Sequence, residues 1–593
     1  MKARKSLLVE TFKSYMPLKK YFIENKKPLL VGLFCLLIVD FLQLLIPLVI
    51  KRTIDTLTFQ TATSHILLKY GLVIIAISLV MAALRYVYRR LLFGHSRMVE
   101  EKLRNRLYNH IQKLSPSFYH RTKTGDIMAR AVNDINAVRM ATGMGLVALT
   151  DGLVLGLTAV GFMMVIDFRL ALISIIPAPI IIYMTRILTR RMSTQYEDVQ
   201  KTFSNLTERA REAFAGIRVV KAYSRENWEY EKMVQEGKAY IRGNLRLAKT
   251  IGLFFPMMAI FTNLGLAIVI WLGGRQTILG QITTGDFVAF ISYLNLLTWP
   301  LMAIGWVTNL IQRGSASMRR INRVLEEVPE INEPPHPQVV APIRGEIRLE
   351  GVGFEYPGQR GLALSGLDLT IEKGQTISLV GRVGSGKSTL LQMVPRLFDP
   401  TEGRVLIDGV DVRLMPVKRL REAIGFVTQE AVIFSDTVRN NVIFGREGIS
   451  PGEFEKALSV AHIQDEVQAL ENGMRTILGE RGITLSGGQR QRLTIARALI
   501  SDPPILILDD AFSMVDTRTE EGILNQILEM RRGKTTLIVS HRVSTIRRAN
   551  LIAVLDQGKL VEMGTHDKLL EQRKEYTKLY ERQVLAQELE LSG

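Results

Sequence analysis

Apolar residues dominate the first half of the chain, where they form six long runs separated by polar connections. As an α-helix, a run of about 20 apolar residues spans the ~30 Å hydrocarbon core of a bilayer. The runs are Leu29–Ile50, Ile66–Leu92, Ala141–Ile166, Leu170–Leu188, Ile251–Leu272 and Phe287–Ile311. This pattern predicts an α-helical membrane domain over residues 1–325 with six transmembrane helices.

The connections between these runs differ in length and charge. Only Asp167–Arg169 separates the third run from the fourth, whereas long segments rich in Lys and Arg join the second run to the third and the fourth to the fifth. The positive-inside rule places both basic segments and both termini in the cytoplasm. Leu103, Leu107 and Ile111 recur with a helical period, so we predict membrane helices that continue into the cytoplasm as rods.

Each basic segment contains a break, at 114–126 and at 213–226. Ser115-Pro116 is typical of a helix start and Gly125 of a helix stop. Short helices here would be suited to press on a soluble domain. Plain hairpin tips are the alternative.

The hydrophobic fraction of 47% is high for a soluble enzyme and indicates membrane spans mixed with a soluble part, and the net charge is +19. A basic chain can bind nucleic acid, or can carry its charge at the cytoplasmic ends of membrane helices. We favour the second interpretation, with a lipid bilayer and no nucleic acid as partner, because the basic residues lie between the apolar runs. The single cysteine, Cys35, excludes an internal disulfide.

Two ionisable residues fall within the apolar runs, Asp40 in the first and Arg85 in the second. A charge in hydrocarbon costs about 3 kcal/mol, so each is expected to face a cavity or the other. In the functional interpretation, the two residues line a transport pathway. The alternatives are that they form a buried pair, or that Arg85 lies nearer the cytoplasmic edge of the membrane.

Five prolines in Glu326–Pro342 predict an extended linker, because proline cannot continue a helix. Beyond it, over 343–593, short β-like runs give way to strands that alternate with helices. This order predicts an α/β nucleotide-binding domain.

A phosphate-binding loop of the form G-x-x-x-x-G-K-[ST] lies between a β-like run and a helical run in this domain. Its glycines let backbone N–H groups turn toward phosphate oxygens. Lys387 can reach the β- and γ-phosphates, and Ser388 can bind Mg²⁺. The predicted nucleotide-binding residues of the loop are Gly381, Arg382, Val383, Gly384, Ser385, Gly386, Lys387, Ser388 and Thr389.

Further candidate residues follow in a fixed order. Tyr356 lies on a loop where it can stack on adenine, with a lone surface tyrosine as the alternative. Asp509 and Asp510 end an apolar strand beside the phosphate loop, where a carboxylate can hold Mg²⁺. The other candidates are Gln429 after a strand, Ser486, Gly488 and Gln489 at a helix start, and His541 after a further strand.

With these motifs in this order behind six apolar runs, the chain resembles an ATP-binding cassette half-exporter over essentially its whole length. The resemblance implies that two chains pair with two ATP molecules between their cassettes. It also implies that Ser388, Gln429 and Asp509 serve Mg²⁺, and that His541 senses the γ-phosphate. Ser486, Gly488 and Gln489 would contact the nucleotide on the partner. The breaks at 114–126 and 213–226 would be coupling helices.

One departure from the family pattern concerns Asp510, where the family usually has a catalytic glutamate. A general base must lie within about 3 Å of the water it activates, and Asp is one methylene shorter. We therefore expect slow hydrolysis at this site. Together with the intact Leu485-Ser-Gly-Gly-Gln489, this departure resembles one half of the heterodimeric bacterial multidrug exporters that have one degenerate ATP site. That resemblance implies a different partner subunit that carries the glutamate and an altered signature loop. A homodimer with two slow sites is the alternative.

The resemblance implies ATP-driven export of hydrophobic or amphipathic compounds by a multi-pass protein of a bacterial inner membrane, with the nucleotide-binding domain in the cytoplasm. A lipid flippase or a peptide exporter is the alternative within transport. The alternative from another functional class is a regulatory ATPase or a nucleotide-gated channel subunit.

Overall fold

The computed structural model describes residues 10, 13–338, 342–358, 361–479 and 485–592. It divides into two units. One contains the described residues up to Gln112 together with Thr124–Glu327, and the other contains Lys113–Lys123 together with the described residues from Val328. The predicted linker begins where the last long helix ends, at Leu325, and its residues 339–341 lie outside the described part of the chain.

In its described residues, the first unit consists of helices joined by turns and short irregular segments. Its α-helices are Lys19–Glu24, Lys26–Thr58, Ser64–Ile111, Thr124–Ala129, Ile135–Met140, Leu146–Ile166, Phe168–Ser174, Ala178–Ala215, Ile217–Ala222, Glu226–Ile268, Gly274–Ile278 and Thr284–Leu325. Short π-helical turns at Arg130–Asp134, Ala141–Gly145 and Val269–Gly273 connect neighbouring helices.

Five helical stretches of the described residues are long and apolar enough to cross a membrane, namely Lys26–Thr58, Ser64–Ile111, Thr124–Ile166, Phe168–Ala215 and Thr284–Leu325. They contain five of the six predicted runs. The remaining run, Ile251–Leu272, begins within the helix Glu226–Ile268, and its membrane crossing stays a prediction.

The long helices confirm the prediction of continuous rods, since Ser64–Ile111 runs without interruption for 48 residues. One predicted detail was wrong. Gly125 does not stop a helix but lies within Thr124–Ala129. The fourth run lies within the candidate span Phe168–Ala215, in which residues 175–177, ending in Pro177, separate the helices Phe168–Ser174 and Ala178–Ala215.

Both breaks in the basic segments contain a short helix. Pro116–Arg121 begins after the N-cap residue Ser115, and Ile217–Ala222 follows Gly216. Val219 and Tyr223 of the second break are 62% and 74% exposed, so this tip presents apolar surface.

The second unit contains two sheets. The strands are β1 Ile347–Phe354, β2 Leu364–Ile371, β3 Thr376–Gly381, β4 Glu402–Ile407, β5 Val410–Asp411, β6 Ile424–Val427, β7 Ile505–Asp509, β8 Thr535–Val539, β9 Leu551–Asp556 and β10 Lys559–Gly564. An antiparallel sheet has the order β2-β1-β4-β5, and a second sheet has the order β10-β9-β3-β8-β7-β6. The helices are Pro116–Arg121, Lys387–Met393, Val417–Glu422, Val438–Ile443, Pro451–Val460, Gln464–Gln468, Gly487–Leu499, Thr517–Met530, Val543–Ile546, His566–Gln572 and Glu575–Ser592.

The second sheet brings the candidate residues to one edge. Strands β3, β8, β7 and β6 are neighbours and run parallel, so their carboxyl ends meet at the same side. The phosphate loop follows β3, Asp510 follows β7, His541 follows β8 and Gln429 follows β6. Strands β3, β7 and β8 are buried along their whole length.

Candidate nucleotide-binding site

The phosphate loop has a backbone that only glycine accommodates at its two ends. Gly386, at the N-terminus of the helix Lys387–Met393, has φ +99°, and a Cβ there would lie 2.7 Å from the Ala363 carbonyl oxygen. A Cβ on Gly381 would lie 2.2 Å from the Leu555 carbonyl oxygen. Gly384, with φ +81°, has open space around it. The loop is therefore shaped to bring backbone N–H groups toward a phosphate at a helix N-terminus.

Lys387 is buried inside the loop. Its ammonium group donates hydrogen bonds to the carbonyl oxygens of Gly381 and Arg382, each at 2.8 Å. Burial lowers the pKa of Lys387, while the nearby carboxylates of Asp509 and Asp510 act in the opposite direction. A cation surrounded by weak carbonyl acceptors can exchange them for phosphate oxygens, which bind it more strongly.

The predicted magnesium ligands Ser388 and Asp509 are in direct contact. The Ser388 hydroxyl donates to Asp509 Oδ1 over 3.1 Å. Asp509 is buried, and burial raises its pKa against the lowering effect of this hydrogen bond. Two neighbouring oxygen donors, one of them a carboxylate, fit the ligand preference of Mg²⁺. Gln429 is exposed two residues after β6, and no hydrogen bond of the described residues joins it to this pair.

Tyr356 lies against the helix Lys387–Met393, which follows the phosphate loop, rather than alone on the surface. Its hydroxyl group is 3.0 Å from Thr389 Oγ1. Its half-buried ring packs edge-on against Phe354 and Phe398, with ring centroids 4.9 and 5.6 Å apart. The ring of His120 lies 6.0 Å away. This aromatic group holds Tyr356 in place beside the phosphate loop.

Asp510 lies just beyond β7 with a left-handed backbone, φ +49°, a conformation that Asp tolerates better than most residues. Burial raises the pKa of Asp510, and His541, Arg542 and Lys387 lower it. His541 itself is exposed. Asp510 is thus a partly buried acid surrounded by cationic groups at the edge of the phosphate loop.

Ser486 and Gln489 form a capping box at the start of the helix Gly487–Leu499, which confirms the predicted N-cap. Gln489 N–H donates to Ser486 Oγ at 3.2 Å, and Ser486 N–H donates to Gln489 Oε1 at 3.0 Å. A Cβ on Gly488 would lie 2.8 Å from the Met514 carbonyl oxygen. No hydrogen bond of the described residues links this helix start to the phosphate loop.

The remaining predicted residues of the loop have separate surroundings. Arg382 is exposed and pairs weakly with Glu575 at 3.5 Å, whereas Val383 is 94% exposed. Ser385 is buried, and its hydroxyl lies 3.4 Å from the Lys387 ammonium.

Sequence reasoning missed residues that connect these motifs. Gln491 donates to Ser513 Oγ at 2.7 Å and accepts from Met514 N–H at 2.8 Å. It therefore joins the segment after Asp510 to the helix that begins at Gly487. A buried glutamine within an otherwise apolar helix face is the feature of the sequence that could have indicated this role.

Comparisons with known proteins agree with this arrangement. The model of the ABC transporter transmembrane region matches residues 29–301, and the ABC transporter model matches residues 364–513. The "Probable multidrug resistance ABC transporter ATP-binding/permease protein YheI" of Bacillus subtilis is 34% identical, covering 94% of this chain and 95% of that protein. The "ATP-dependent lipid A-core flippase" of Syntrophus aciditrophicus is 35% identical, and the match covers 93% of this chain and 92% of that protein.

A solved structure, that of a bacterial Atm1-family ABC exporter with ATP bound, matches with a TM-score of 0.78 and 28% identity. The match covers 94% of this chain and 98% of that chain. The likeness therefore extends over both units.

Proposed function

Because the chain belongs to the ABC transporter family, we propose that it is one half of an exporter that uses ATP to move hydrophobic or amphipathic compounds across a membrane. The contact between Ser388 and Asp509 beside a phosphate loop, in a chain with membrane-crossing helices, carries the proposal. The multidrug-resistance name of one relative supports the substrate class. The cassette is expected in the cytoplasm, below the bacterial inner membrane.

The nucleotide site uses the chain's own residues as follows. Lys387 leaves the carbonyl oxygens of Gly381 and Arg382 for the β- and γ-phosphates. Ser388, Asp509 and Gln429 would hold Mg²⁺, which would neutralise phosphate charge when bound. Tyr356 supports adenine through its ring, and the backbone of the remaining loop residues up to Thr389 surrounds the phosphates.

Asp510 limits hydrolysis at this site. A base in this position must reach the attacking water, and the Asp side chain is one methylene shorter than that of Glu. Its pKa is raised by burial, so it retains basicity, and distance rather than basicity is the constraint. His541, at the neighbouring strand end, contacts the γ-phosphate.

The partner is a second ABC half-transporter subunit, and we propose that it is a different chain with a catalytic glutamate. The capping box of Ser486 and Gln489 leaves the Gly488 backbone at a helix N-terminus, which suits contact with a phosphate held by that partner. The efficient site would then combine the partner's phosphate loop with Ser486, Gly488 and Gln489 of this chain.

Transport by inverted membrane vesicles tests this function. Vesicles containing the chain and its co-expressed partner should take up a fluorescent amphipathic dye when ATP is added, and vesicles with the Lys387→Ala chain should not. Dye uptake by vesicles that contain the chain without a partner tests the alternative that the chain works as a homodimer. ATP hydrolysis without uptake of any dye would favour a regulatory ATPase or channel subunit instead.

The name of the second relative supports one alternative, a lipid flippase. A fluorescent lipid added to the same vesicles distinguishes the two. Movement of the lipid without dye uptake would assign the chain to lipid transport.

A further inference from the structure

Three arginines lie close together on the membrane-crossing helix Ser64–Ile111. A groove of about 330 Å³ is lined by the exposed side chains of Arg85, Tyr86, Arg89 and Arg90. Residues three or four positions apart are neighbours on a helix surface, so these four side chains form one polar patch. We call this patch the cationic groove.

Contacts with the preceding membrane helix fix the depth of the groove. A Cβ on Gly32 would lie 2.8 Å from Leu92 Cδ2, so these two residues lie at the same level. Gly32 is three residues inside the apolar run Leu29–Ile50, near the end that is predicted to be cytoplasmic. The two helices run antiparallel, so Arg85, seven residues before Leu92, lies about 10 Å deeper. It is therefore about 15 Å inside the run, in the middle of a hydrocarbon core of ~30 Å and not at its edge.

No acid neutralises these arginines within the described part of the chain. Arg85 donates to the neutral amide oxygen of Gln43 at 3.0 Å. The side chains of Arg89 and Arg90 have no hydrogen bond or ion pair with a described residue. Arg85 does not pair with Asp40, because neither carboxyl oxygen of Asp40 has a hydrogen-bond partner among the described residues. The groove therefore keeps all three positive charges for another partner.

The groove has the chemistry of an anion site. Charged side chains at this depth are unfavourable against acyl chains, and in membrane proteins they face a water-filled cavity or a binding partner. The planar fork of arginine N–H groups matches two oxygens of a carboxylate, sulfate or phosphate. Toward the other end of the membrane run, the exposed Ile75 and Leu79 continue the same helix face at helical spacing. A cationic patch beside an apolar strip is the complement of an amphipathic anion.

We propose that the cationic groove binds the anionic group of an amphipathic compound that the protein exports. The apolar part of the compound lies along Ile75 and Leu79. The proposal rests on the proposed export function and narrows its substrate class to amphipathic anions. A lipid that stays in the membrane, or an acidic group of the partner subunit, would meet the same charges, and the experiment separates both from an exported compound.

Binding of pyrenebutyrate tests the site, since this compound joins a carboxylate to an apolar ring system. Its methyl ester has the same rings and chain without the charge. Both are measured in nanodiscs of zwitterionic lipid that contain the complete transporter, and binding to empty nanodiscs is subtracted. Pyrenebutyrate should bind to the cationic groove, and its binding should depend on the arginines, whereas binding of the ester should not.

Arg85→Gln and Arg89→Gln each remove one charge of the groove. Each should weaken pyrenebutyrate binding about tenfold and leave binding of the ester unchanged. Arg89→Lys should give an intermediate loss, because lysine keeps the charge without the planar fork. Arg106→Gln, at an exposed position of the same helix beyond the apolar run, should behave like the natural chain. The glutamine variants remove a charge from the bilayer core, so their insertion into the membrane should not suffer.

Uptake by inverted vesicles tests whether the bound compound is exported. Vesicles with the natural chain and its co-expressed partner should accumulate pyrenebutyrate when ATP is added. Vesicles with the Arg89→Gln chain should accumulate it about tenfold more slowly and should retain uptake of a neutral amphipathic dye.

Several results would overturn the cationic groove as a substrate site and leave the exporter intact. These are equal weakening of pyrenebutyrate and its ester, undiminished pyrenebutyrate binding in both glutamine variants, and binding without ATP-driven uptake. Displacement of pyrenebutyrate by a small fraction of phosphatidylglycerol in the nanodiscs would assign the groove to a resident lipid. Dissociation of the two subunits in Arg89→Gln would assign it to an acid of the partner, and either result would overturn the proposal. Absence of ATP-driven uptake of every dye would overturn the exporter as well.

Discussion

The guanidinium group of Arg542 is bonded to the carboxylate of Glu520, a side chain with no exposed surface. Thr545 donates to the other oxygen of the same carboxylate. Arg542 also donates to the Val515 carbonyl oxygen at 2.8 Å. Since Arg542 follows His541, these contacts tie the backbone next to His541, the proposed γ-phosphate sensor, to the segment after Asp510.

Removing Glu520 should leave the Thr545 hydroxyl buried without its acceptor and Arg542 without its counter-ion. Glu520→Ala is expected to lower the free energy of unfolding by about 3 kcal/mol as a result. It should also slow ATP hydrolysis, because His541 loses its support. Thermal unfolding and ATPase assays on the purified transporter measure both effects.

The control for Glu520→Ala is Lys418→Ala, which breaks a solvent-exposed pair with Glu422 at 3.8 Å. An exposed pair contributes at most about 1 kcal/mol, so this variant should unfold as the natural chain does. Equal unfolding temperatures for the two variants would contradict the structural role of Glu520.

Lys387→Ala should abolish nucleotide binding at this chain's own phosphate loop. The side chain is the buried cation that the loop encloses, and its loss removes charge-assisted bonds to two phosphates. Photocrosslinking of an ATP analogue to each subunit reports occupancy. Lys373→Ala, in an exposed turn of the same unit, should retain full labelling. Undiminished labelling of the Lys387→Ala chain would exclude the assignment.

The two glycines after Ser486 should differ in their tolerance of a methyl group. A Cβ on Gly488 meets the Met514 backbone oxygen at 2.8 Å, whereas a Cβ on Gly487 meets the Met514 sulfur at 2.6 Å. A flexible side chain can move and a backbone carbonyl cannot without shifting its loop. Gly488→Ala should therefore reduce the ATPase rate at least tenfold, and Gly487→Ala, its matched control, should retain most activity. The reverse order would count against this packing.

Asp510→Glu should accelerate hydrolysis at this chain's own site if side-chain reach limits it. General base catalysis contributes about 10²–10⁴-fold, so a gain of at least tenfold is expected. The rate is measured in a transporter whose other site has been silenced, with nucleotide affinity as the control. An unchanged rate would mean that Asp510 is already competent or that another step is limiting.

On acidification, ATP hydrolysis at the same site should begin to fall at a higher pH than it would with an aspartate of ordinary pKa. Burial raises the pKa of Asp510, and a base accepts a proton from water only when it is itself deprotonated. Activity should therefore be complete above the raised pKa and fall as the pH drops through it, at a pH above about 3.9, the ordinary value for Asp. A pH–rate profile, with ATP binding measured at each pH, checks this. Full activity down to pH 3.9 would contradict it.

Features that depend on near neighbours could be predicted from the sequence alone. Apolar run length placed five membrane helices, and the pattern around Ser486 predicted its N-cap, because a cap requires only the next three residues. The phosphate loop followed from its spacing for the same reason. Gly125 was misjudged, since neighbouring turns kept it helical.

Only the tertiary structure decided which distant residues meet. Ser388 and Asp509 are 121 positions apart and are joined because β3, β8 and β7 are parallel neighbours. Asp40 is buried without a hydrogen-bond partner among the described residues, and Arg85 donates to Gln43 instead, because the packing of each helix decides which side chains meet. Local chemistry thus determined what each segment is, and the strand order and helix packing determined which polar groups are paired or buried.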